Sequence, residues 1–270
     1  NIFDVNNIKI EKKIKDSNEI SANHAIKKGF EELINKILLK EDIIKLKDLN
    51  DSTIKEFVTY YQVENKINDD NNLEIINFNI SFDKVKIHNL FYKKGISYSK
   101  IKNKELFILP ILKKNNKIYI YSKNYFYDNW NDVYDTELIE FILPLENIEV
   151  IQKANLNKSN LLDLDLQNLF IEYQGKNIIL VIIDEKNLQE EKIYFKSIIQ
   201  GKNIIKNINI KRLNLNEEDF YKKIISQVKQ EIIILVKTQN LIDVRTPSFL
   251  KVQLNSSKKN NLVELTKRLK

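Results

Sequence analysis

The sequence predicts an α+β and α/β protein, in which a small βαββα domain precedes a layered α/β domain with a mostly buried sheet. Three observations predict it. In "LEIINFNISF", Ile76, Phe78, Ile80 and Phe82 alternate with Asn77, Asn79 and Ser81, the pattern of an antiparallel strand with one face in water. "LFILPIL", "EFILPL" and "NIILVIID" are instead apolar without a break, as strands covered on both faces are. Around these runs lie segments with apolar residues three and four apart, and strands alternating with helices stack as layers. The chain has 270 residues, more than one domain usually holds, and divides into 1–100, 101–240 and 241–270. The last stretch reads as a linker and the start of a truncated third α+β unit.

Residues 2–15 alternate loosely and predict the first strand. Asp16 or Ser17 then caps a helix reaching about Leu39, with Ala22, Ile26, Phe30, Leu33 and Ile37 on one buried stripe. Gly29 lies within that stripe and marks a close backbone approach. A further helical piece covers 41–56. "FVTYYQVENKI" and "LEIINFNISF" form a hairpin about the polar turn "NDDNN". Asp83 caps a short helix through Lys94, and Gly95 ends it.

The second unit opens with "LFILPIL". A helix-like "LDLQNLFIEYQ" precedes "NIILVIID", and residues 192–213 read as a hairpin turning at Gly201 and Lys202. Asn216 caps a long closing helix whose first turn is acidic, as the helix dipole favours. Residues 240–247 read as a linker. "SFLKVQLNSS" and a last helical pattern follow, ending without a cap, so further sequence is expected beyond Lys270. Asn1 is not an initiator, and a removed secretory signal is the expected reason.

The formal charge is +7, yet only Arg212, Arg245 and Arg268 are arginines. Arginine reads phosphate and guanine through two parallel hydrogen bonds, so its scarcity argues against a specialised nucleic-acid surface. The lysines are interleaved with acids, as on solvated helix and strand faces. A lysine-driven, non-specific nucleic-acid binder remains a third reading, with affinity falling steeply in salt. With no cysteine, disulfides and thiolate metal sites are excluded, and four scattered glycines make neither a P-loop nor a dinucleotide fingerprint. No apolar run is long enough to span a membrane.

His24 and His88 fall on separate predicted helices without ligand spacing, and no serine sits in a nucleophile elbow. Asp163 and Asp165 form one acidic pair. Asp184, Glu185 and Lys186 end a buried strand, where an acid and a lysine can hold a divalent metal and polarise a phosphate; an ordinary exposed turn suits them as well and is the favoured reading. Tyr119, Tyr121, Tyr125, Phe126, Tyr127, Trp130 and Tyr134 crowd one segment. Exposed, these rings stack on sugars or bases, with Asn124, Asp128 and Asn129 supplying hydrogen bonds. Buried, they plug the open end of the sheet, although the alternation at 118–121 turns Tyr119 and Tyr121 to water.

"IFDVNNIKIEKK", "SANHAIKKGFEELINKIL", "FILPIL", "SKNYFYDNW", "EFILPLEN" and "LFIEYQGKNIILVII" follow one another in a familiar order. In this order, anchored by Pro110, Trp130 and Pro144 over roughly residues 2–255, the chain resembles an uncharacterised proteobacterial exported-protein family, domain of unknown function 2066. Its first helix departs from that pattern, with Lys, Asn and Ile where Arg and Ala are usual. The resemblance implies a periplasmic or envelope location and carries no catalytic residues. The expected function is therefore a non-catalytic binding or scaffold module of the cell envelope, its partner another envelope protein, with no cofactor and no metal. The contact residues are Asn77, Asn79 and Ser81 on the hairpin, and Tyr119, Tyr121, Asn124, Tyr125, Asp128 and Trp130. The alternative is a metal-dependent hydrolase centred on Asp184 and Lys186.

Overall fold

The computed structural model describes residues 1–12, 17–68, 74–101, 104–133, 138–185 and 190–246. Loose alternation near the start yields β1 (Asp4–Lys12), with an irregularity between Val5 and Ile8 where Asn7 takes a φ of 60°. In α1 (Asn18–Ile37) the Ser17 side chain accepts from the Ile20 amide at 3.2 Å, and the expected stripe is buried. At Gly29 a Cβ would stand 2.7 Å from Ile8 Cδ1, so a bare backbone is what lets helix and sheet close up. The helical piece expected over 41–56 is two short helices, α2 (Lys40–Ile44) and α3 (Asp51–Glu56). Asn50 caps the second by accepting from the Thr53 amide, which restarts the helix there.

The hairpin is β2 (Val58–Asn68) and β3 (Glu74–Phe82), followed by α4 (Lys84–Lys94), with Asp83 at its start and Gly95 left-handed at its end. The sheet order is β1–β3–β2, antiparallel throughout. Ile76, Phe78, Ile80 and Phe82 face α1 in a core shared with Phe30 and Leu33.

After β4 (Ser97–Ser99) come β5 (Lys104–Lys114), β6 (Lys117–Tyr119), α5 (Tyr125–Asn129), β7 (Ile139–Ile142), α6 (Ile148–Leu156) and α7 (Leu166–Leu169). Then follow β8 (Ile178–Glu185), β9 (Glu190–Ile199), β10 (Lys202–Lys211), α8 (Glu217–Gln239) and β11 (Leu241–Asp243). The large sheet runs β10–β9–β8–β5–β6, with β7 also on β5. Strands β7, β5 and β8 are parallel; β6, β9 and β10 join antiparallel. As continuous apolar runs predict, both faces are covered. Ile108, Ile179, Val181 and Ile183 pack under α8, whereas Leu109, Ile111, Leu180 and Ile182 pack under α6 and α7.

The helix-like run at 164–174 is one short turn, α7, followed by a 3-10 turn that stops at left-handed Gly175. The long hairpin turns at Gln200 and Gly201, both with positive φ, one residue earlier than expected. Of the expected linker, residues 241–243 form β11, which pairs antiparallel with β4. Pro247 and the third-unit segment lie outside the described residues. No helix among the described residues is long and apolar enough to cross a membrane.

Candidate functional sites

The polar face of β3 is largely used within its own sheet. The Asn79 Oδ1 accepts from the Asn7 amide at 2.9 Å and so holds the kink in β1, while the Ser81 hydroxyl donates to Asp4 at 2.6 Å. The Asn77 Oδ1 is buried with no partner among the described residues. All three side chains are half-buried. Next to them β2 is an edge strand, and Tyr60, Tyr61 and Val63 stand 60%, 48% and 42% exposed on it. Tyr61 and Val63 line an apolar groove of about 180 Å³ against Ala22 of α1. The sequence reading missed this edge, because alternation in a hairpin does not say which strand ends up outermost.

The aromatic segment is a plug, and its burial corrects the contact role expected of three residues. Trp130 and Asn124 are fully buried and Tyr121 nearly so, although the alternation at 118–121 placed Tyr121 in water. The cause lies in β5. Its edge is paired by β7 through Phe107 and by β6 from Leu112, which leaves a gap at Pro110. A proline has no amide to offer there. Asn124 closes the gap: its Nδ2 lies 2.8 Å from the Pro110 carbonyl and 2.7 Å from that of Ile120, and its Oδ1 accepts from the Phe126 amide at 3.2 Å. That clip seats α5 over the gap. Phe126 and Trp130 then enter the core under α8, and Tyr121 enters the opposite core with its ring edge-on to Tyr127. Beneath Trp130 lies the buried Lys229 ammonium, 5.9 Å from its ring and 5.2 Å from that of Phe141. Tyr119 and Tyr125 remain half-buried and Asp128 exposed. Tyr134 lies outside the described residues.

The carboxyl ends of β5 and β8 gather a group of interacting ionisable side chains. Asp184 is buried and faces α6, while Glu185 faces α8; Lys186 lies outside the described residues. Lys114 contacts Glu185 at 2.9 Å and Glu217 at 3.1 Å, and its ammonium is held above its usual range chiefly by the Glu185 hydrogen bond. The Tyr221 hydroxyl sits 2.9 Å from both carboxylates, and burial first, then these two anions, drive its ionisation far above the ordinary. Glu191, only 2% exposed, has an Oε2 with no hydrogen-bond partner among the described residues. Burial, followed by repulsion from Glu185 and Asp184, pushes its carboxyl up to about 8. It is a neutral acid at pH 7, which sequence spacing gave no means of finding. His24 and His88 stand on separate helices, and burial first, with Lys84 next, lowers the His88 imidazole. Among the described residues no three His, Cys, Asp or Glu side chains are placed to hold a metal ion.

No protein-family profile matches the chain, and no curated protein does. A solved structure titled "Crystal structure of uncharacterized protein" is similar over 52% of this chain and 93% of its own, with 12% identity and a TM-score of 0.21. A likeness that small carries no argument about fold or function.

Proposed function

We propose that the chain is a non-catalytic binding or scaffold module of the bacterial cell envelope, and that its partner is another envelope protein. The partner is taken up as an extended segment along the outer edge of β2. The observation that carries this reading is that edge. An edge strand offers a row of main-chain donors and acceptors, and an added strand satisfies them. β2 is 11 residues long, and no described strand pairs with its outer side. Its exposed Tyr61 and Val63 border the groove against α1, so alternate apolar side chains of an incoming segment find a place beside the new ladder. The other edge strand, β1, is kinked at Asn7, and the Lys28 ammonium takes its Lys9 carbonyl at 3.0 Å. Such devices discourage pairing. The envelope location rests on the family resemblance of the sequence.

A photo-crosslinking amino acid at Tyr60, in the full-length protein in living cells, tests this. Adducts with one envelope protein support it. Capture from a probe at exposed Leu145 with none from Tyr60 places the contact elsewhere and sinks the proposal.

A further inference from the structure

Four asparagines stand two residues before a serine with no proline between, the pattern an N-linked sugar requires: Asn50, Asn79, Asn157 and Asn255. The pattern arises readily by chance in an asparagine-rich chain, and the structure sorts the four. Asn79 is half-buried in the central strand β3, its carboxamide oxygen held by the Asn7 amide. Asn157 is exposed, but its Nδ2 donates to the Lys153 carbonyl at 2.9 Å and closes the end of α6. Asn255 lies outside the described residues.

Asn50 differs on each count. It is exposed, in the short connection between α2 and α3. Its Oδ1 accepts from the Ser52 hydroxyl at 2.7 Å and from the amide and hydroxyl of Thr53, each at 2.8 Å. Its Nδ2 makes no hydrogen bond among the described residues. The oxygen therefore holds the cap while the nitrogen stays open. A sugar on Nδ2 leaves all three bonds to Oδ1 in place, so modification and α3 are compatible. α3 has only six residues, and so short a helix is marginal by itself. The segment can thus open locally into the extended form that a transferase groove grips. Asp48, two residues ahead, is 73% exposed beside Lys94 and offers a basic groove a charge to read. Asn77, Asn155 and Gln253 hold that place before the other three asparagines.

We infer that Asn50 is an acceptor for an N-linked sugar, donated from a diphosphate-linked oligosaccharide. Asn50 Nδ2 attacks the anomeric carbon of the donor and forms the carbon–nitrogen bond. The bond from that carbon to the phosphate oxygen breaks, its electron pair leaves on the diphosphate, and one Nδ2 proton passes to a base of the transferase. The Ser52 hydroxyl is the second recognition point, which a threonine serves as well. An acceptor role in the cell rests on the envelope location proposed above, because N-linked sugars mark secreted proteins. The capacity of Asn50 to accept a sugar does not.

The purified full chain is incubated with a bacterial oligosaccharyltransferase and a polyprenyl-diphosphate oligosaccharide, and read by mass spectrometry of the intact chain and its peptides. A short acceptor peptide of sequence Asp-x-Asn-x-Ser serves as positive control. The expected result is one oligosaccharide per chain, on the peptide that holds Asn50. The gain is kept in Ser52→Thr and Asn157→Gln and lost in Asn50→Gln and Ser52→Ala. No gain in the unaltered chain while the control peptide is modified overturns the inference. So does a sugar on Asn79 or Asn157 with none on Asn50, or a gain that persists in Asn50→Gln. Ser52→Ala leaves the Thr53 amide bonded to Asn50, so it decides the matter should Asn50→Gln fail to fold by circular dichroism. Cell fractionation checks the location separately: a cytoplasmic chain that still accepts sugar at Asn50 refutes the envelope reading and supports the acceptor site.

Discussion

Glu191 is a residue whose burial changes its charge at neutral pH. Its carboxyl is raised to about 8 in the folded chain, against 4.5 for a free glutamate. As pH rises above 4.5 the unfolded chain releases this proton while the folded chain keeps it. Stability therefore declines across that window and levels off near pH 8, where the folded form ionises too. Glu191→Gln removes the decline, since the amide is neutral throughout. Urea midpoints compared at pH 5 and pH 8 should converge in the variant, which gains about 2 kcal/mol at the higher pH. A variant that follows the original chain at both values would show that the proton is not held at Glu191. Asn124 shows the same limit of sequence reading in reverse. Its type suggested a surface contact, and only the gap beside Pro110 explains why a buried carboxamide is needed there.

At the scale of elements, the end of α8 caps the end of α1. The Lys237 ammonium donates to the Asn35 carbonyl at 2.5 Å and the Leu38 carbonyl at 3.0 Å, the last carbonyls of a helix that has no partner for them. It is buried, and desolvation lowers it to about 8 from 10.5. Between pH 8 and 10.5 the unfolded chain holds this proton and the folded chain does not, so stability rises with pH across that window. Lys237→Met should lose that rise, with urea midpoints flat from pH 8 to 10, and should be less stable by about 1–2 kcal/mol at pH 10 because two carbonyls lose a donor. An unchanged slope in the variant would assign the rise to another lysine. The helices themselves were legible from period and caps: Ser17, Asp83 and Asn216 each accept from a first-turn amide. Short pieces were not, since α2, α3 and α7 are too brief for a period to show.

In the whole molecule, β11 returns from α8 to pair with β4, and Lys237 joins the same seam, so the two parts share main-chain and side-chain bonds. The single tryptophan lies in the core under α8, and none lies in the first part. If the seam couples the two parts, urea unfolding followed by Trp130 fluorescence and by far-ultraviolet circular dichroism should give coincident midpoints. Two separated transitions would mean that the parts unfold independently and that the seam contributes little. Trp130 fluorescence should also resist acrylamide until that transition, as expected of a fully buried ring.

The sequence alone determined what depends on near neighbours: the helical stripes and their caps, the half-polar strand, and the buried strands around Pro110 and Val181. Period and capping act over a few residues, so they can be read from a line of letters. Strand order, the gap that draws Asn124 inward and the open edge of β2 were decided only by the tertiary structure. Each joins residues far apart in the chain. Their pairing depends on which strands lie side by side and in what register, and one-dimensional periodicity carries no information on either.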